Sequence, residues 1–145
     1  MDGIDKLINN IKQLETNDAA WRKIANSIHA VIEERIFRQS GSRDINGNKL
    51  GIYSKGYQRR RRKAGKTNVR NIQLMFDGQM KEDFKIGVAS KGRPNVYASG
   101  FNNPVNEKKS NWVEKTYNTD IFGMTKQEQV KHRELVDKYV KRMVT

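Results

Sequence analysis

The densest chemistry in this chain is a run of four arginines and a lysine, Arg59-Arg60-Arg61-Arg62-Lys63. Guanidinium forks grip phosphates and carboxylates bidentately, and Tyr53 and Tyr57 stand close by in sequence with rings that could stack on bases. The charge around the run is one-sided. Between Ile45 and Phe76 there is no Asp or Glu, whereas Lys49, Lys55, Arg59, Arg60, Arg61, Arg62, Lys63, Lys66 and Arg70 are all cationic. The whole chain sets 29 Lys and Arg against 16 Asp and Glu, a formal charge of +13, so this one stretch carries most of the excess. Such a stretch implies an anionic neighbour: a nucleic acid, an acidic protein face or, less favoured here, a lipid surface. The bland alternative is a solvated loop that keeps the protein soluble.

Other familiar chemistries fail on spacing. Gly65-Lys66-Thr67 imitates the end of a phosphate-binding loop, but that pattern needs glycine where Arg60 stands and an apolar strand before it. Asp44, Asn46 and Asn48 imitate the start of a calcium loop, yet lysine occupies both the glycine position (Lys49) and the bidentate glutamate position (Lys55). A turn through Asn46-Gly47 is the better reading. The chain has no cysteine, which removes disulfides and thiolate metal sites, and His29 and His132 each fall on a helical pattern with no evident nucleophile. Glu33-Glu34 and Glu82-Asp83 are sequence neighbours rather than carboxylates converging from separate elements. The sequence therefore predicts no catalytic residue, no cofactor and no metal.

The elements that must position the basic run can be read from periodicity. Ile4, Leu7, Ile8, Ile11 and Leu14 repeat with helical spacing. A second stripe, Trp21, Ile24, Ala25, Ile28, Ile32 and Ile36, follows a polar break at Glu15-Thr16-Asn17, giving two helices or one bent helix. From Gln39 to Lys66 the period vanishes and glycines recur, which predicts an exposed loop or arm over residues 41–68. Val69 to Phe84 fits a strand or an interrupted helix equally well. Phe84-Ile86-Val88 and Val96–Phe101 alternate about the turn Lys91-Gly92-Arg93-Pro94, as in a β-hairpin. Val105, Trp112, Val113 and Tyr117 allow a short helix, and Thr125 with Glu128 has capping-box spacing at the start of a last helix striped by Leu135, Val136, Tyr139, Val140 and Met143. The expected fold class is α+β in a single domain, 1–145, with N-terminal helices, a small antiparallel hairpin, the long basic loop and a C-terminal helix. Trp21, Ile28, Ile32, Phe76, Phe84 and Trp112 are its expected apolar anchors. No stretch approaches the roughly 20 apolar residues of a membrane span, and the first residues lack the basic start and apolar run of a secretion signal.

Taken in order, Ile36-Phe37, Gly41, Asp44-x-Asn46-Gly47, the tyrosines in a basic stretch, Leu74-x-x-Asp77-Gly78-x-Met80, the hairpin and Ile121-Phe122-Gly123-Met124-Thr125 resemble the virion morphogenesis or tail completion proteins of tailed phages. The likeness spans roughly residues 25 to 130. It implies an α+β subunit of a homo-oligomeric neck ring at the head–tail junction, made in the bacterial host cytoplasm and carried in the virion. It further implies neighbouring connector and tail proteins as partners, no membrane, and a choice for Lys49, Lys55, Arg59, Arg60, Arg61, Arg62, Lys63 and Lys66 between an adjacent subunit and packaged double-stranded DNA. The alternative expectation is a non-enzymatic nucleic-acid-binding protein that uses Arg59 to Lys66.

Overall fold

The computed structural model describes residues 2–74, 78–88 and 97–145. Its described elements are six helices and one two-stranded antiparallel sheet, an α+β arrangement. α1 (Gly3–Thr16) and α2 (Asp18–Ile36) are separate helices, because Asn17 leaves the helical conformation and its side chain accepts a hydrogen bond from the Ala20 amide at 3.2 Å. β1 (Phe84–Val88) pairs with β2 (Tyr97–Phe101) in the register Phe84 to Phe101; the expected turn between them lies outside the described residues. α5 (Pro104–Tyr117) ends at Asn118 in the left-handed region, φ 50°. α6 (Lys126–Val144) opens on the anticipated capping box: the Glu128 amide donates to Thr125 Oγ1 at 3.0 Å, and the Thr125 amide to Glu128 Oε2 at 2.8 Å.

The core forms where the long stripe of α2 meets the hairpin and the 121–124 segment. Ile28, Ile32, Ile36, Phe37, Phe84, Val113 and Ile121 are buried together, with Phe84 ringed by Phe37, Phe101 and Phe122. α6 packs on α1 and α2, and Tyr139 meets Trp21 edge to face. One expected anchor, Trp112, departs from the prediction. Phe76 lies outside the described residues, and Trp112 is 66% exposed, because the face of α5 that enters the core is set by Val113 and Tyr117 instead. Of the ambiguous stretch, the described residues 69–74 are irregular with one bridge, Ile52 to Asn71, and the short helix α4 (Gln79–Asp83) follows Gly78.

The segment expected as an extended arm, 41–68, is folded against the body. Its amides and carbonyls pair with 70–74 and with Asp120, as in Ser42 N–H to Ile72 O (2.8 Å), Tyr53 N–H to Arg70 O (2.9 Å) and Ile45 N–H to Asp120 O (2.8 Å). The lost period hid this, since loops can satisfy their backbone groups without any apolar repeat. Gly41 is where the path turns: its φ is +133°, and a Cβ there would lie 2.8 Å from Asn71 Cβ.

Candidate functional site

Within that segment the basic run is itself a helix, α3 (Lys55–Lys63). Ser54 caps its start, accepting from the Tyr57 amide at 3.3 Å. At its end Gly65 takes φ +70°, Lys66 N–H donates to Arg61 O and Gly65 N–H to Arg62 O, both at 3.1 Å, a Schellman turn. The expectation of a loop was wrong here because four consecutive arginines have good helix propensity and sit at the carbonyl end, where the helix dipole favours cations. The same turn explains why Gly65-Lys66-Thr67 is no phosphate cradle: it closes a helix, so carbonyls rather than N–H groups are the free backbone polar atoms there.

Helical winding separates five adjacent cations into two roles. Lys55, Arg59, Arg60, Arg62 and Lys63 are exposed, as is Lys49 outside the helix, whereas Lys66 is partly covered and Arg61 retains 1% of its surface. Arg61 donates from Nε to Asn68 O (2.9 Å) and from Nη2 to Gln73 Oε1 (3.3 Å), and its guanidinium stacks over the Tyr53 ring at 4.9 Å. Its Nη1 finds no hydrogen-bond partner among the described residues. Arg61 therefore leaves the set of predicted contact residues; it holds α3 to the body. Tyr53 leaves the set of stacking residues as well. Its hydroxyl donates to Gln73 O and accepts from the Gln73 amide, Arg61 covers its ring, and the Tyr57 ring lies 4.8 Å away. Burial pushes the nearby Tyr117 hydroxyl above its usual range, with Tyr53 and Tyr57 adding to the effect. Among the described residues no carboxylate forms an ion pair with a cation of α3.

The Asp44 turn is equally structural. Asp44 Oδ1 accepts from the Asn46 and Asn48 amides, both at 2.9 Å, and Oδ2 from the Thr119 hydroxyl at 3.0 Å. A carboxylate occupied by three donors serves the turn, as the Asn46-Gly47 reading requires. One residue escaped the sequence reading entirely. Arg35, 6% exposed, donates to Glu128 Oε1 (2.7 Å), Arg43 O (3.0 Å), Ile121 O (2.8 Å) and Gly123 O (2.5 Å). It thereby gathers the Asp44 turn, the Ile121–Thr125 segment and the capping box of α6 about one buried guanidinium. Its position seven residues after Ile28, on the buried face of α2, was the available signal.

Both histidines border an apolar groove of about 460 Å³ between α2, the hairpin and residues 122–124. His29 stacks on Phe84, its Nδ1 lies 2.8 Å from Ser99 Oγ, and its Nε2 lies 3.6 Å from Glu33 Oε2. Sequence distance concealed this pairing, since Ser99 is 70 positions away. A Ser-His-carboxylate contact becomes an acyl-transfer site only with donors aimed at a developing oxyanion. Around Ser99 the groove offers Ile86, Ala98, Phe122 and Met124, while Trp21 Nε1 is committed to Leu14 O at 2.6 Å and the Tyr97 hydroxyl to Asp18. Among the described residues no group of three or more His, Cys, Asp or Glu converges as a metal site, and no helix is long and apolar enough to cross a membrane.

Compared with protein-family models, with characterised proteins and with solved structures, the chain matches none.

Proposed function

We propose that this chain is a virion structural protein of a tailed bacteriophage, a subunit of the neck or tail-completion ring that joins the DNA-filled head to the tail. It acts without catalysis or cofactor, and it is made in the host cytoplasm before assembly. The observation that carries the proposal is α3: five outward cations that pair with no carboxylate among the described residues, fixed to the body by Arg61. In a closed ring such a helix is repeated by rotation, so a modest contact per subunit becomes a continuous cationic belt. That belt would meet either the acidic face of an adjoining connector or tail protein, or the DNA in the channel. The order of the sequence motifs supports the reading, and so does the clasp at Arg35, which gives the Asp44 turn and the Ile121–Thr125 segment one shared structural purpose.

The test is a variant carrying Arg59→Gln, Arg60→Gln, Arg62→Gln and Lys63→Gln, followed through particle assembly, with labelled wild type located by electron microscopy. Heads and tails that fail to join, together with label at the neck, are the expected result. Label absent from virions would end the proposal. The exposed cations also favour a second reading, a non-enzymatic nucleic-acid-binding protein. If four phosphates are neutralised, the logarithm of DNA affinity falls with the logarithm of salt at a slope of about −3.6. Strong retention on DNA by the isolated protein, abolished in the quadruple variant, would favour this second reading over the first.

A further inference from the structure

The N-terminal helix carries an apolar stripe that stands exposed among the described residues. Ile4 is 66% exposed, and Leu7, Ile8 and Ile11 are each 44–45% exposed, although α1 touches α6. Contiguous exposed side chains of this kind mark association surfaces. The same chain holds an apolar groove, lined by Ile24, Ile28, Ile86, Phe122 and Met124, whose 460 Å³ falls in the range of pockets that bury a whole ligand. We infer that the stripe of α1 from one copy of this chain docks in the groove of the next.

Charge selects the occupant. Of the 29 Lys and Arg only Lys6 and Lys12 lie in α1, balanced by Asp5 and Glu15, with Asp2 as the cap. A neutral helix with carboxylates at its leading end can approach another copy of a +13 chain where most cationic faces cannot. The early turns of α6, which border the groove through His132, add exposed Arg133 beside it and exposed Lys126 and Lys131 over the neighbouring cavity, so the margin of the groove is cationic. A lipid surface is a poorer fit, because membrane-lying helices concentrate Lys and Arg on the polar face and α1 does not. Stripe and groove are different patches, so the contact is heterologous and propagates from copy to copy until it closes. The closure into a ring rests on the neck reading; the docking rests on the two faces.

The chain has no cysteine, so single thiols can be introduced cleanly. An equimolar mixture of Leu7→Cys and Ala98→Cys proteins, treated with a short thiol cross-linker, should yield the mixed dimer, whereas Leu7→Cys with Ala64→Cys, at the exposed end of α3 and outside the groove's lining, should not. Light scattering should show an oligomer for wild type and a folded monomer for Ile8→Asp. An oligomer that persists in Ile8→Asp with no Leu7–Ala98 cross-link overturns the docking and leaves the ring. A wild type that is monomeric at every concentration overturns the docking as well. The cross-link found in a closed pair of copies supports the docking and ends the ring instead.

Discussion

Arg61 and Arg62 are identical neighbours, and the structure assigns them opposite consequences. Arg62→Gln removes an exposed charge from the last turn of α3, where the dipole interaction contributes about 0.3–1 kcal/mol. Arg61→Gln removes two buried charged hydrogen bonds and the stacking on Tyr53. Each such bond contributes roughly 1.5–3 kcal/mol and the desolvated cation–π contact about 2 kcal/mol. Burying a guanidinium with no carboxylate beside it and no partner for Nη1 among the described residues costs several kcal/mol in the other direction. The net loss expected for Arg61→Gln is therefore about 2–4 kcal/mol. Urea denaturation reads this directly as a lower midpoint with unchanged slope. DNA or partner retention should respond in the reverse order, reduced in folded Arg62→Gln and preserved in folded Arg61→Gln. Equal stability of the two variants within about 0.5 kcal/mol would refute the inward role of Arg61.

Arg35→Met should cost about 3–5 kcal/mol by stranding buried Glu128, and Arg35→Met with Glu128→Leu should cost less than the sum of the single changes, as a double-mutant cycle in urea would measure. Gly41→Ala places a Cβ 2.8 Å from Asn71 Cβ at φ +133°, so a loss of about 2 kcal/mol or more is expected from thermal unfolding, against a small effect for Gly56→Ala, where the space is open. Asp83 joins α4 to α5 by accepting from the Asn103 amide and the Asn106 side chain, and these bonds hold its carboxyl below the ordinary carboxylate range. With the folded value lowered, its contribution is complete above the unfolded value of 3.8 and disappears as pH falls through the folded one. Asp83→Asn should therefore remove part of the stability loss seen below about pH 4 in an acid titration followed by circular dichroism.

The helices were legible because their buried faces repeat: Ile28, Ile32 and Ile36 name the core of α2, and Thr125 with Glu128 names the start of α6. The hairpin was legible from alternation. Residues 41–74 were not, because their order comes from single polar contacts such as Ser42 Oγ accepting from the Leu74 amide, which leave no periodic trace. Charge density located the candidate site but not its geometry. Composition counts Arg61 with its neighbours, whereas winding turns it inward through its position four residues after Tyr57. Pairings that join distant residues, Arg35 with Glu128 and His29 with Ser99, depend on how elements meet and have no local signature.

The inward arginine also acts as a rotational key. Each residue advances a helix by about 100°, so whichever cation in the run seats over Tyr53 decides where all the others aim. One alanine inserted between Gln58 and Arg59 would bring the original Arg60 into that seat and keep the belt's bearing almost unchanged, because the run repeats the same side chain. A homopolymeric stretch thus tolerates slippage of its frame, and the azimuth of the surface survives indels that would scramble a mixed sequence.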